Sequence, residues 1–228
     1  MITFDVLSTP SGVSAHWIKK KYGLAYTTAH LLLHRIREHM GRCLSTAFVN
    51  TVVEVDESYI STGNKGFHRH YPFKRGRGSE KNSTIMSIVE RDGKCLFIKI
   101  PDVQATTLLG IIEKHVDRSC KIFTDNLPAY RGLGKRGYFH QVVNHKSPDG
   151  TKRWVDGMAS TNSAENAFSN IKRSLKGIYR SVSDEHLQNY LNEFSFKHSY
   201  RNTFDCGFET CLNAMPPLSE TYRYKKTA

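Results

Sequence analysis

Residues 51–60 read as one β-strand with two unlike faces. Val53 and Val55 fall on one side and Glu54 and Asp56 on the other, because successive side chains of a strand alternate. Aspartate is depleted in strands, so Asp56 needs a reason other than strand formation. Downstream, strand and helix patterns follow one another. Residues 84–90 and 95–100 read as strands joined through Arg91-Asp92-Gly93-Lys94, and Asp-Gly is a strong hairpin signal. Residues 104–118 fit a helix that buries Leu108, Leu109, Ile112 and Val116. Residues 120–124 form a short apolar strand ending in Asp125, and 138–144 suit another. A helix over 162–176 carries the stripe Ala164, Ala167, Phe168, Ile171 and Leu175. Another over 184–200, capped by Ser183, packs Leu187, Tyr190, Leu191 and Phe194. This order predicts an α/β fold, a mixed sheet with helices on its faces.

A smaller helical unit precedes the sheet. Ser14 can cap a helix through Lys21, which Gly23 ends. Thr27 can cap a second helix, on which Ala29, Leu32, Leu33, Ile36 and Met40 recur at helical spacing. Helix, short Gly-containing turn and helix is the helix-turn-helix pattern, whose second helix enters the DNA major groove. Tyr26, Thr27 and Thr28 would lead it, with His30 and His34 behind. A plain helical hairpin packed on the next domain fits the same pattern.

Charge narrows the choice of partner. The formal net charge is +12. Residues 16–42 hold Lys19, Lys20, Lys21, Arg35, Arg37 and Arg42 against Glu38. The loop-like stretch 65–81 holds Lys65, Arg69, Lys74, Arg75, Arg77 and Lys81 against Glu80. Residues 172–180 hold Lys172, Arg173, Lys176 and Arg180 with no acid. These segments carry the whole excess, the footprint of a nucleic-acid partner rather than of an evenly solvated surface. No apolar run approaches the ~20 residues of a membrane span. Residues 1–10 do not read as a signal peptide. Five cysteines without a C-x-x-C pair argue against a disulfide scaffold or a four-ligand zinc module. The expectation is a protein of the cytoplasm, associated with the nucleoid.

Against this basic background three acids stand apart. Asp56 lies within the first strand, Asp125 at the end of an apolar strand, and Glu165 in the first turn of a helix. Two carboxylates on neighbouring strands and a third on a helix crossing the sheet edge would make a hard-oxygen set suited to Mg²⁺ or Mn²⁺. Two such ions can activate a water or a 3′-hydroxyl and stabilise the leaving oxygen in phosphodiester cleavage. Each acid has a plainer use. Asp125 can cap a turn before Pro128, and Glu165 can complete a capping box with Asn162. Glu54 shares the Asp56 face and is a possible substitute, whereas Glu57 points the other way. Lys172 lies ~10 Å along the helix from Glu165, at ~1.5 Å per residue, and Lys176 follows one turn later. The pair could hold metal and DNA phosphate together, or the lysines could be ordinary solvated side chains.

The run Val53-Glu54-Val55-Asp56-Glu57-Ser58-Tyr59 is followed by Arg75-Gly76-Arg77-Gly78 and by Phe123-Thr124-Asp125 with Ala129-Tyr130. Then come Val143-Asn144-His145, Thr161-Asn162-Ser163-Ala164-Glu165 with Lys172-Arg173, and the stretch from Val182 to Phe194. In this order, over about residues 12–202, they resemble the DDE insertion-sequence transposases, and among them the ISXO-type branch of bacterial elements. The resemblance implies an RNase H-like core. It also implies Mg²⁺-dependent cleavage at transposon ends and attack of the freed 3′-hydroxyl on target DNA. It assigns Asp56, Asp125 and Glu165 to catalysis and metal binding, with Asn162 as a further candidate for the third position. Lys172 falls on its basic position. That branch begins with a Cys-rich zinc ribbon, and this chain starts at the helix-turn-helix, which implies a shortened copy.

The expected organisation is a helix-turn-helix unit over 1–46, an RNase H-like catalytic core over 47–215 and a loose basic tail over 216–228. Thr27, Thr28, His30, Arg75, Arg77, Lys172, Arg173 and Lys176 are the expected DNA contacts. The partners are double-stranded DNA, as transposon ends and target, and further copies of the chain in a dimer or larger assembly. Two other functions fit: a repressor with an impaired catalytic core, and an RNase H-like nuclease without strand transfer.

Overall fold

The computed structural model describes residues 1–62, 82–91, 93–143, 155–156 and 159–214. A five-stranded sheet forms its centre, in the order β3-β2-β1-β4-β5. The strands are β1 (Val52–Ser61), β2 (Asn82–Glu90), β3 (Cys95–Ile100), β4 (Lys121–Thr124) and β5 (Phe139–Val142). β1, β2 and β3 form an antiparallel meander, whereas β4 runs parallel to β1 and β5 parallel to β4. The mixed sheet is therefore as expected, and this order and sense are those of an RNase H-like core.

The two faces of β1 go to different layers. Val53 and Val55 pack with Met86 and Ile88 against Leu108, Leu109 and Ile112 of α4 (Ala105–His115). The opposite sheet face packs Ile85, Val89 and Phe97 against α5 (Asn162–Ser174) and α6 (Leu187–Ser199). Ala164, Ala167, Phe168 and Ile171 make the buried stripe of α5. Fully burying one large apolar side chain of this kind stabilises by roughly 1.5–3 kcal/mol. A single π-helical turn, Leu175–Tyr179, extends α5.

Three helices precede the sheet: α1 (Ile2–Ser8), α2 (Ala15–Tyr22) and α3 (Tyr26–Cys43). Ser14 caps α2 by accepting from the Trp17 N–H at 3.2 Å, and Gly23 ends it in the left-handed region at φ 66°. Thr27 does not cap α3. Ala25 occupies the cap position without a side-chain bond, and Thr27 lies inside the first turn. Helix α7 (Phe204–Asn213) closes the described chain. The sequence reading missed α1 and α7, two short amphipathic segments whose apolar residues are covered only in the folded chain. Val6, Leu7, Leu33, Met40, Phe196 and Cys211 share one apolar cluster.

A buried polar knot fastens α3 to α6. Arg37 Nε donates to Glu193 Oε2 at 2.7 Å. Glu193 also accepts from Lys197 Nζ and from Tyr179 Oη. The Arg37 guanidinium lies 4.1 Å from the centre of the Tyr190 ring. Glu193 has no solvent exposure. Burial pushes its pKa up, but the charges of Lys197 and Arg37 outweigh that and hold it below the usual carboxylate range. Gly12, at φ +91°, passes so close to Tyr179 that a Cβ would lie 1.8 Å from its hydroxyl oxygen. Arg37 therefore does not belong to the basic footprint in which the sequence reading placed it, and Lys21 is likewise engaged, by Asp5 at 2.7 Å.

Candidate active site

The parallel pairing of β1 and β4 builds the site. Val55 lies opposite Thr124 in the last pair of that ladder, so Asp56 and Asp125 emerge side by side at the same edge. Asp56, Glu57 and Asp125 each offer a carboxylate oxygen, and the three oxygens lie within 4.8 Å of one another. All three residues are half-buried. The structure thus brings together two of the three acids named from the sequence and adds Glu57. The strand pleat predicts Glu57 on the opposite face. The pleat itself persists, because pairing with β2 continues through Glu57 to Ser61; beyond the last β4 pair, Val55 with Thr124, the longer Glu57 side chain still brings an oxygen to the cluster.

Local hydrogen bonds fix both aspartates. Asp56 Oδ1 accepts from the Glu57 N–H at 2.8 Å. Asp125 Oδ1 accepts from the Leu127 N–H at 3.0 Å, so the turn before Pro128 exists and shares its carboxylate with the acid cluster. Thr124 Oγ1 donates to the Asp125 carbonyl at 2.7 Å and lies 2.9 Å from His140 Nε2. Burial lowers the pKa of His140, which favours its neutral form.

Glu165 is half-buried in the first turn of α5 and, among the described residues, joins no group of acids at that spacing. The expected capping box does not form. Thr161 is the cap residue, its side chain making no capping bond, and Asn162 is the first, exposed residue of the helix. Glu54 takes over the capping. It is fully buried and accepts from the N–H groups of Ser163 at 2.8 Å and Ala164 at 3.3 Å. Arg91 Nε donates to its other oxygen at 2.9 Å. Glu54 therefore stands outside the acid cluster for which it was a possible substitute.

The expected DNA contacts fall on two surfaces. Thr27 and Thr28 are exposed in the first turn of α3, while His30 is half-buried. His30 and His34 rings lie 4.5 Å apart, and His34 meets His186 at 4.7 Å. His34 thus faces the sheet domain rather than a groove of DNA. Lys172, Arg173 and Lys176 are exposed along α5 and its extension. Arg75 and Arg77 lie outside the described residues, as do Asn144-His145 and the tail. No described helix is long and apolar enough to cross a membrane.

Residues 48–199 match the family model described as the ISXO2-like transposase domain, and the chain belongs to that family. A curated protein of Haemophilus influenzae, described as an uncharacterized transposase-like protein, is 26% identical over 104 residues, 46% of this chain and 80% of that one. Two solved structures also align at 12% identity. A pre-cleavage Mos1 transpososome matches over 93% of this chain and 76% of that chain with a TM-score of 0.38. The Mos1 strand transfer complex matches over 93% and 75% with a TM-score of 0.39. The family assignment comes from the sequence match alone.

Proposed function

We propose that this transposase-family chain cuts DNA at the ends of a mobile element and joins the freed 3′ ends to target DNA. The observation that carries the reading is the gathering of Asp56, Glu57 and Asp125 oxygens within 4.8 Å at the edge shared by β1 and β4. Like charges at that distance repel, and three carboxylates are the hard-oxygen donors that Mg²⁺ or Mn²⁺ takes. Asp56, Asp125 and Glu57 would hold the ion, and Glu165 in the first turn of α5 is the further acid proposed for the reaction. Bound Mg²⁺ or Mn²⁺, two ions in the full reaction, would supply activation of the attacking oxygen and stabilisation of charge on the leaving oxygen.

The chain's own residues do the rest. The Leu127 and Glu57 amides hold the aspartates in place. Lys172, Arg173 and Lys176, together with Arg75 and Arg77, neutralise DNA phosphates so that a polyanion can approach the acids. Thr27, Thr28 and the exposed edge of His30 contact the duplex from α3. Hydrolysis places a water oxygen on phosphorus and releases the strand's 3′ oxygen, which takes up a proton. In the joining step that 3′ hydroxyl attacks phosphorus in the target and the target's own 3′ oxygen leaves. Two copies acting together would bring two ends to one target, in the cytoplasm where the nucleoid lies.

The test uses the full chain, a duplex carrying the inverted repeats that flank its gene, and Mg²⁺ or Mn²⁺. Nicked ends and joined product are expected. Binding without nicking would favour a repressor, and nicking without joined product a nuclease.

A further inference from the structure

We propose that Glu54 and Arg91 form a positioning device that sets the mutual placement of the acid-bearing elements. The proposal rests on the reading of Asp56, Asp125 and Glu165 as the working acids. Three contacts converge on this pair. Glu54 is part of β1, two residues before Asp56. The Arg91 guanidinium lies 4.9 Å from the centre of the Phe123 ring, on β4 and two residues before Asp125. Ser163, whose N–H donates to Glu54 at 2.8 Å, is two residues before Glu165. Each link thus reaches an acid through two residues of regular backbone, ~7 Å along a strand or ~3 Å along a helix.

The arrangement is costly unless it is kept complete. A carboxylate without solvent contact needs compensation. Glu54 obtains it from Arg91 and from the amides at the positive end of the α5 dipole. Helix α5 in turn needs Glu54. Its first amides have no intrahelical acceptor, and the side chain of its cap residue Thr161 does not accept from them. The strand therefore caps the helix, at a sequence separation of 109 residues. A helix anchored only by its apolar stripe could slide or rotate by a fraction of a turn. A hydrogen-bonded end fixes both register and rotation.

Partners that hold metal-binding side chains in place change metal affinity by about 10- to 100-fold when removed. The experiment measures the Mn²⁺ midpoint of thermal stabilisation without DNA, for the parent chain and for Glu54→Ala, Glu54→Gln, Arg91→Ala and Asp56→Asn. The Mn²⁺ requirement for nicking is read alongside. Glu54→Ala should raise both midpoints about tenfold or more. Glu54→Gln should restore much of the loss, because its carbonyl oxygen can still accept both amide bonds. Arg91→Ala should fall between them, and its partly exposed side chain keeps it informative if Glu54→Ala does not fold. A purely structural role would lower the melting temperature and leave the Mn²⁺ midpoints alone, which overturns the proposal. Should Asp56→Asn weaken Mn²⁺ binding while Glu54→Ala and Arg91→Ala do not, the positioning role alone falls. Should the parent bind no Mn²⁺, or Asp56→Asn bind it equally well, the acid-cluster reading falls and takes the positioning role with it.

Discussion

Two groups of buried or half-buried charge in this molecule are built on opposite plans. Between α3 and α6, Glu193, without solvent exposure, is matched by Arg37, Lys197 and the Tyr179 hydroxyl. At the edge of β1 and β4, Asp56, Glu57 and Asp125 are pressed toward one another. The first plan makes every charge satisfy another, as a structural joint requires. The second concentrates one sign at a half-buried surface, where the carboxylates repel one another and, in the function proposed above, suit a bound cation. The Glu54–Arg91 pair shares features of both. It is internally matched like the joint, and its three links involve residues two positions before Asp56, Asp125 and Glu165.

Breaking the joint should have the largest effect. Glu193→Ala leaves Arg37 and Lys197 buried without their partner, and truncating one member of a buried pair costs about 3–5 kcal/mol. Equilibrium urea unfolding would measure it; a loss below about 1 kcal/mol would show that the knot is not what fastens α3.

The next effect is a pH slope set by two histidines, His34 on α3 and His198 on α6. Burial, with the charges of Arg37, His30 and His186, lowers the His34 pKa to about 3. Burial and the charge of Arg201 lower that of His198 to about 4. Both folded values lie below the ordinary 6.5, so the unfolded chain takes up these protons first. Stability is then complete above pH 6.5 and falls as the pH drops from there toward 4. The slope is at most about 1.4 kcal/mol per pH unit for each group, and less because both rings keep some solvent contact. Melting temperatures from pH 7 to 5 should decline, and His34→Phe should flatten the decline. An unchanged slope in that variant would remove His34 as its source.

At the acid cluster the sign reverses. Asp56→Asn relieves repulsion, so metal-free stability should stay within about 1 kcal/mol of the parent or rise. A fall of several kcal/mol would mean that Asp56 is a structural residue. The smallest effect is at the rim: Lys172→Ala should weaken DNA binding a few-fold and reduce the salt dependence by about one phosphate contact.

The comparison also explains what could be read from the residues. Asp56 and Asp125 stood out because strand alternation and an apolar run ending in an acid are local patterns. Their adjacency depends on the parallel register of β1 with β4, which no local pattern contains. Glu57 was set aside because the pleat directs its Cβ the other way, but its longer side chain brings a carboxylate oxygen to the group beyond the last β4 pair. Arg37 looked like part of a basic surface because its partner Glu193 is 156 residues away. Glu54 was seen on the correct face, but its role lies in amides that belong to a helix more than a hundred residues later. Strands, the hairpin and the amphipathic helices were legible; tertiary pairing of charge was not.

The central claim is that the acids at the edge of β1 and β4 serve DNA cleavage. Its most direct test is Mg²⁺-dependent nicking of a duplex carrying the flanking inverted repeats, run for the parent and Asp125→Asn side by side with a binding assay. The account predicts nicked product from the parent and, for Asp125→Asn, a rate lower by at least about a thousandfold, or ~4 kcal/mol of barrier, with DNA binding retained. Equal nicking by the two proteins would contradict it.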